Sequence, residues 1–192
     1  MLEEEYNPRR KLPPHLKPAP DAEPAFAFSI REAAERDIPD MREIYNHYVL
    51  NSTVTFDEDA MSLAEMRKKF RVVQNLHFPW ILAESPRGIV LGYAYVTPWK
   101  PKAAYRYTVE NSIYLGPAST GKGLGRALMT ELLSRSKAAG IKEVIAVIAD
   151  KGAEASIAMH ESFGFKHVGH MGKVGFKFGR WLGTEMLQKS LK

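Results

Sequence analysis

Three strand-like segments that follow one another directly constrain the fold of this chain more than any other feature. PWILAES, GIVLGYAYVTPW and YTVENSIYL are rich in apolar and β-branched residues, and no helical periodicity separates them. Parallel strands need a crossover of about a dozen residues or more, usually a helix, so these strands are predicted to pair antiparallel. A sheet built only from parallel strands and alternating helices is therefore disfavoured.

The other segments follow a regular order of strand and helix patterns. FAFSIREA is predicted to be a first strand, and two helices follow it, the second opened by a capping box of Ser62 and Glu65. The helix GLGRALMTELLSRSKAAG comes after the three strands and ends at Gly140; the strand EVIAVIAD, a short helix and two last strands complete the chain. This order predicts one α/β domain with a mixed, mostly antiparallel central sheet and flanking helices.

Length and composition support one domain preceded by an arm. The chain has 192 residues, of which 45% are hydrophobic, and this is enough for one core. Residues 1–25 are rich in proline and lack apolar periodicity, so we predict an extended, poorly ordered arm before a domain at residues 26–192. Acidic residues in the arm argue against a transit peptide.

The net charge indicates what kind of partner the chain binds, and the absence of cysteine indicates the compartment. The formal net charge is +5, and six basic residues between 166 and 192 stand against one acidic residue. They are spread through strand-like sequence rather than packed in a run, which favours small anions over nucleic acid as partners. The chain has no cysteine, no apolar run long enough for a bilayer and no basic-then-apolar leader. We therefore expect a cytoplasmic protein without membrane contact.

The loop GPASTGKGLG, residues 116–125, has two interpretations as an anion-binding site. It nearly matches the phosphate loop of nucleoside triphosphatases, and the strand VIAVIAD even ends in Asp150, as a metal-binding strand would. However, that loop needs a hydroxyl after the lysine to ligate magnesium, and Gly123 has none. This interpretation also requires a parallel sheet with alternating helices, which the three consecutive strands disfavour.

The second interpretation requires only a cradle for pyrophosphate. Backbone N–H groups at a helix N-terminus attract anions, and Gly121, Gly123 and Gly125 would let phosphate oxygens approach the backbone. Lys122 and Arg126 can add positive charge, and no metal is required. An ordinary helix start without a ligand is the alternative that the loop alone leaves open.

Five stretches carry a resemblance to a known family: EIYNHYVLNSTVTFDE, AYRYTVENSIYL, GKGLGRAL, ASIAMHESFGF and VGFKFGRW. In this order they resemble the GNAT acyltransferase superfamily, and within it the phosphinothricin and methionine sulfoximine acetyltransferases. The resemblance runs from about residue 30 to residue 191. It implies the GNAT fold, a homodimer, and direct transfer of an acetyl group from acetyl-CoA to the α-amine of a small amino-acid-like substrate.

The resemblance also implies where acetyl-CoA would bind. The strand before the loop would form sheet-like hydrogen bonds with the pantetheine arm, and the loop would hold the pyrophosphate. The strand residues are Ile113, Tyr114 and Leu115, and the loop residues are Gly121, Lys122, Gly123, Leu124, Gly125 and Arg126.

Two departures from the family pattern concern the same cofactor. Thr120 stands where relatives usually have Gln or Arg, so we expect a weaker phosphate contact at this residue and an intact backbone cradle. Relatives place an asparagine just before the Ala-Ser pair at 155–156, and here Gly152, Ala153 or Glu154 must occupy that site. We therefore expect cofactor affinity or pantetheine geometry to differ from that of relatives.

Glu110 and His160 are the expected catalytic residues. The substrate amine is protonated at neutral pH and must lose a proton before it attacks a thioester; Glu110 could accept it, best if burial raises its pKa. The resemblance places His160 where many GNAT enzymes carry a tyrosine that protonates the departing thiolate, and an imidazole can supply that proton. A solvated strand carboxylate and a packing histidine are the alternatives.

The basic stretch WKPKAAYR is expected to bind an anionic substrate. Cations are needed for the carboxylate and for phosphinyl or sulfoximine oxygens, and the resemblance places substrate contacts there. The expected substrate-binding residues are Lys100, Pro101, Lys102, Arg106 and Glu110, with Phe56 and Lys177 as weaker candidates. A solvated basic loop is the alternative.

Two other functions remain open from the sequence. One is the same fold acetylating another small amine, such as a polyamine. The other is a non-catalytic module that binds acetyl-CoA as a sensor, although the carboxylate of Glu110 argues against an idle site.

Overall fold

The computed structural model describes residues 26–192, and its elements follow the predicted order. The arm predicted at residues 1–25 lies outside the described residues. The strands are β1 (Ser29–Glu32), β2 (Trp80–Glu84), β3 (Val90–Pro98), β4 (Thr108–Leu115), β5 (Glu143–Ala149), β6 (Lys166–Lys177) and β7 (Arg180–Ser190). The α-helices are α1 (Ile38–Asn51), α2 (Leu63–Asn75), α3 (Leu124–Ala138) and α4 (Glu154–Ser162). Short 3-10 turns lie at Glu35–Asp37, Ala103–Tyr105 and Pro117–Ser119.

Within residues 26–192 the strands form one seven-stranded sheet in the order β1-β2-β3-β4-β5-β7-β6. β2, β3 and β4 pair antiparallel, as the missing crossovers predicted, whereas β4 and β5 are parallel and are joined through α3. The predicted mixed, mostly antiparallel sheet with flanking helices is thus confirmed. The nucleoside-triphosphatase interpretation is removed, because that fold requires a parallel sheet with alternating helices.

The parallel pair separates shortly after it begins. β4 and β5 pair only from Thr108 opposite Glu143 to Glu110 opposite Ile145. On its other side β4 stays paired with β3 as far as Leu115, and β5 stays paired with β7 as far as Ala149. Both strands are therefore held from outside while their facing edges diverge, which leaves a gap in the middle of the sheet.

The sheet has a different core on each face. On one face α3 packs with Leu124, Leu128 and Leu132 fully buried; their four-residue spacing places them on one side of the helix. The other face, under α1 and α2, is aromatic, and the ring of Trp80 stacks on that of Tyr95 with centroids 4.1 Å apart. Successive strand residues point to opposite faces, so β4 contributes alternate side chains to the two cores.

The direction of Glu110 follows from this alternation. Val109 of β4 is buried in the α3 core, whereas Tyr114 packs edge-on against Tyr45 of α1, 5.1 Å between ring centroids. Glu110 has the same parity as Tyr114 and therefore projects to the face of α1 and α2. α2 itself begins at the predicted capping box, in which the backbone N–H of Ser62 donates to Glu65 Oε2 at 2.8 Å.

Candidate active site

A cavity of about 940 Å³ lies where β4 and β5 separate. Its walls come from the diverging strands, the loop before α3, the helix α4 and the segment that follows α1. Polar groups and glycines on these walls include Glu110, Asn111, Gly121, Gly123, Arg126 and His160. The gap therefore joins the glycine-rich loop to the predicted catalytic side chains.

Among the described residues, the backbone N–H groups of Gly121, Lys122 and Gly123, in the loop before α3, have no hydrogen-bond partner. Gly121 and Gly123 have φ angles of 72° and 79°, in the left-handed region that favours glycine, and nothing stands within 4 Å of where a Cβ would be at either residue. Gly123 is the N-cap of α3, and in the described residues no side chain caps this helix end. The first N–H groups of α3 and its dipole are thus available to an anion.

Gly125 has a different reason to be glycine. A Cβ there would lie 3.2 Å from the sulfur of Met159 and 3.6 Å from Leu115 Cδ1, so its small size lets α3 approach α4. Leu124, between the glycines, is fully buried in the core. Only its backbone N–H can contribute to a phosphate site.

The two cations of the loop are committed elsewhere in the structure. Arg126 lines the cavity, and its guanidinium donates to Ser162 Oγ at 2.6 Å and lies over the ring of Phe163. Lys122 lies over the ring of Phe26, 4.8 Å from its centroid. Because both side chains have partners within the protein, the backbone N–H groups form the preformed part of the cradle.

The residues at the two positions that depart from the family pattern, Thr120 and the turn before α4, are held by contacts within the protein. The hydroxyl of Thr120 donates to the carbonyl of Pro117 at 3.1 Å, within its own loop. At the other wall Ala153, the N-cap of α4, is buried, and Gly152 before it has a φ of 78°. The carboxylate of Asp150 accepts a hydrogen bond from the backbone N–H of Gly183 at 2.9 Å, which attaches the start of this turn to β7.

Glu110 is the last residue of β4 that pairs with β5, and it is partly buried. In the described part of the chain its carboxylate has no hydrogen-bond or ion-pair partner. Burial raises the pKa of Glu110, and the charges of Lys69 and Lys100 oppose that rise. A carboxylate with a raised pKa and no internal partner is suited to take up a proton.

His160 is held between two hydrogen bonds in a buried position. Its Nδ1 lies 2.7 Å from the carbonyl oxygen of Ser156, which can only accept, so Nδ1 carries the proton. Its Nε2 lies 3.0 Å from Asn111 Nδ2 and accepts from that amide. Burial lowers the pKa of His160, which favours the neutral ring. That ring has no free N–H to give to a leaving thiolate.

The basic stretch at 100–106 lies at the surface. Lys100, Lys102 and Arg106 are exposed and do not line the described cavity. Arg106 stacks on Tyr107 and donates to the carbonyl of Ala103, whereas Lys100 is near enough for its charge to lower the pKa of Glu110. Pro101 is exposed beside them. Substrate binding by this stretch stays a prediction.

Lys177 supports the wall of the cavity. It is almost fully buried and donates from Nζ to the carbonyl oxygen of Thr55 at 2.8 Å, which anchors the segment that carries Phe56 into the cavity. A Cβ at Gly175 of β6 would lie 2.5 Å from the ring of Phe56, so that glycine makes room for the aromatic side chain. Both weaker candidates thus lie beside the site.

Three residues near the site were missed by the sequence reasoning. Tyr48 donates from its hydroxyl to the carbonyl of Leu115 at 2.7 Å, Asn111 contacts His160, and Lys69 lies near Glu110. Tyr48 has the spacing of a core residue, and Lys69 stands among other charged residues of a helix. Only Asn111 could have been found from the sequence, because it is adjacent to the predicted catalytic residue Glu110.

Comparison with known proteins shows which family this chain belongs to. A family model described as an acetyltransferase (GNAT) domain matches residues 30–186. The chain belongs to the GNAT acetyltransferase family. Among its relatives, it is 38% identical to the phosphinothricin N-acetyltransferase of Alcaligenes faecalis over 165 residues, covering 86% of this chain and 83% of the relative.

Two further relatives support the same assignment. The L-methionine sulfoximine/L-methionine sulfone acetyltransferase of Pseudomonas paraeruginosa is 39% identical over 166 residues, covering 86% of this chain and 96% of that protein. A crystal structure of a GNAT superfamily phosphinothricin acetyltransferase from Sinorhizobium meliloti, in complex with acetyl-CoA, superposes with a TM-score of 0.82 at 42% identity, covering 85% of this chain and 88% of the other. This GNAT chain is accordingly an N-acetyltransferase that uses acetyl-CoA as cosubstrate.

The cavity of this GNAT domain fits that cosubstrate. The open space before Gly121 and Gly123 and the uncapped start of α3 suit a pyrophosphate, and the gap between β4 and β5 suits an extended arm with amide groups. Residues 26–192 contain no group of three or more side chains that could hold a metal ion. In the same range no helix is both long and apolar enough to cross a membrane.

Proposed function

We propose that this GNAT enzyme acetylates the α-amine of a small amino-acid-like substrate of the phosphinothricin or methionine sulfoximine type. One observation carries the proposal: the gap between β4 and β5 connects the anion cradle before α3 with the unpartnered carboxylate of Glu110. The names of the relatives support the substrate class.

The proposed reaction is a direct transfer in which the amine nitrogen forms a bond to the acetyl carbon and the carbon–sulfur bond breaks. Acetyl-CoA supplies the activated acetyl group. Glu110 accepts, directly or through water, the proton that the ammonium group of the substrate must lose before it attacks. The second proton of the amine is lost as the tetrahedral adduct collapses, and it leaves with the coenzyme A thiolate as the free thiol. The backbone of Ile113, Tyr114 and Leu115 and the N–H groups at the start of α3 hold the donor in place.

The role of His160 as general acid stays a prediction, and its hydrogen bonds favour another role. With Nδ1–H donated to Ser156 and Nε2 accepting from Asn111, the imidazole fixes the orientation of the Asn111 amide. Within residues 26–192 the Oδ1 atom of Asn111 is buried without a partner. The structure therefore supports a positioning role for His160, in which it holds Asn111 rather than a reacting atom.

The test is a panel of amines with acetyl-CoA, with release of free thiol followed over time. It includes phosphinothricin, L-methionine sulfoximine, L-methionine sulfone, protein amino acids and a polyamine. We expect the first three to give the highest kcat/KM. A preference for the polyamine would replace the substrate class, and slow turnover of every amine would favour a non-catalytic acetyl-CoA-binding module.

We further propose a homodimer, as the family resemblance implies. The hairpin of β6 and β7 supports it, because large apolar side chains on this edge of the sheet are more than half exposed: Val168, Val174, Phe176, Phe178 and Trp181. Apolar surface of this kind at a sheet edge is typical of an interface. We also propose a cytoplasmic location, since acetyl-CoA is a metabolite of the cell interior.

A further inference from the structure

Lys69 of α2 lies over the aromatic face of the sheet. Its Nζ donates to the hydroxyl of Tyr95 at 2.6 Å and lies 4.8 Å from the centroid of the Tyr95 ring and 5.7 Å from that of Tyr45. These contacts hold the ammonium group at a defined place instead of leaving it free in solvent.

The ammonium group lacks a counter-ion in the described part of the chain. No carboxylate of residues 26–192 lies within 4.0 Å of Lys69 Nζ, and Asp57, on the same face, instead accepts a hydrogen bond from Tyr45. An ammonium has three N–H donors, and only the one to Tyr95 is used within these residues. A partly buried cation with two free donors is a receptor for an anion.

The register of β3 and β4 places this receptor next to Glu110. Tyr95 lies opposite Ser112, and Thr97 lies opposite Glu110, so Tyr95 and Glu110 are diagonal neighbours on one face. Such neighbours are about 7–8 Å apart, within reach of long side chains. The charge of Lys69 is felt at Glu110, because it is the largest influence opposing the burial that raises the pKa of this carboxyl.

We propose that Lys69, positioned by Tyr95, binds the α-carboxylate of the substrate and selects α-amino acids over simple amines. The inference rests on the proposed function. The α-amine and α-carboxylate share one carbon, so a substrate whose amine meets Glu110 brings its carboxylate to the cation beside it. A polyamine would bring a second positive charge towards Lys69 and be repelled.

The surface cations are less suited to this task. Lys100, Lys102 and Arg106 are exposed, and solvent weakens a charge pair formed there. Lys69 is partly buried among aromatic rings, so a carboxylate beside it would be less screened. The exposed stretch remains suited to the side-chain oxygens of the substrate, further from the reacting amine.

The test compares L-methionine sulfone with its carboxamide, which keeps the amine and loses the negative charge. The variant is Lys69→Met, and the matched control is Lys68→Met, which removes the same charge from the exposed side of the same helix. We expect Lys69→Met to raise the KM for the acid roughly 10- to 100-fold, the usual worth of a charge-assisted hydrogen bond. The KM for the carboxamide and for acetyl-CoA should not change, and Lys68→Met should behave as wild type.

Other outcomes separate the inference from the proposed function. If wild type acetylates the sulfone but Lys69→Met loses the acid and the carboxamide equally, carboxylate binding by Lys69 is refuted while the function stands. If wild type acetylates neither compound, both fail. Tyr95→Phe provides a second variant that keeps the charge and removes its anchor, and we expect a smaller rise in KM confined to the acid. An equal effect on both substrates would count against the inference.

Discussion

Replacing Glu110 with glutamine isolates the proposed proton transfer. The substitution keeps the size of the side chain, and within residues 26–192 the carboxylate has no hydrogen-bond partner to lose. The effect should therefore fall on catalysis. General bases contribute roughly 10²- to 10⁴-fold, which corresponds to about 3 to 5 kcal/mol in the activation barrier. We expect kcat to fall by this factor while acetyl-CoA binding is unchanged.

The same substitution should not destabilise the protein at neutral pH. Burial raises the folded-state pKa of Glu110, so the folded protein binds more protons than the unfolded chain between the ordinary glutamate pKa and the raised one. The free energy of unfolding therefore falls as pH rises through that window, and it stays lower at higher pH. Glu110→Gln removes this destabilisation. Its free energy of unfolding should match that of wild type at acidic pH and exceed it at neutral pH.

The pH dependence of the rate is the sharper assay. Wild type should gain activity with rising pH through the raised pKa of Glu110, and this inflection should be absent from Glu110→Gln. The variant should recover at high pH, where the free amine is abundant. Pre-steady-state measurements must first establish that chemistry limits kcat. Under that condition, a variant with the wild-type kcat at neutral pH would refute Glu110 as the base.

Three further predictions concern the donor, the histidine and the assembly. Acetyl-CoA at a hundredfold its Kd should add about 2.7 kcal/mol of stability, roughly 5–10 °C in Tm by calorimetry, whereas ATP with magnesium should add none; stabilisation by ATP–magnesium alone would contradict the loop assignment. His160→Phe and Asn111→Ala should lower kcat by similar factors, because each breaks the same hydrogen bond. In a double-mutant cycle the double variant should be no slower than either single variant, and losses that multiply would contradict a positioning role. Phe176→Ser with Trp181→Ser should give monomers in sedimentation at micromolar concentration, unlike Leu76→Ser on another exposed surface, and a monomeric wild type would refute the dimer.

The order of elements could be predicted because its causes are local. The spacing of Leu124, Leu128 and Leu132 and the capping box at Ser62 act within a few residues, so a sequence shows them directly. The antiparallel pairing followed from the absence of crossovers. The divergence of β4 and β5 has no such local cause, because it depends on how β3 and β7 hold the two strands from outside.

The site was predicted less completely because its key contacts join distant segments. Lys69 and Tyr95 are 26 positions apart, and Asn111 and His160 are 49 apart. Nothing near Lys69 in the sequence distinguishes it from Lys68, which is exposed on the same helix. The basic stretch at 100–106 was predicted to bind an anion because its charges are adjacent in the sequence. The structure places these charges at the surface, and substrate binding by them stays a prediction.

The position of Glu110 suits the proposed base because it combines the end of one strand pairing with a defined face of the sheet. It occupies the last pair of the parallel ladder, opposite Ile145, so the gap for the acetyl donor begins immediately beyond it. Its side chain has the parity of Tyr114 and faces α1 and α2, where the proposed receptor Lys69 lies. A residue one position later faces the other side of the sheet, as Asn111 does where it contacts His160 of α4. The end of the ladder and the alternation of the strand together determine the position of the proposed base.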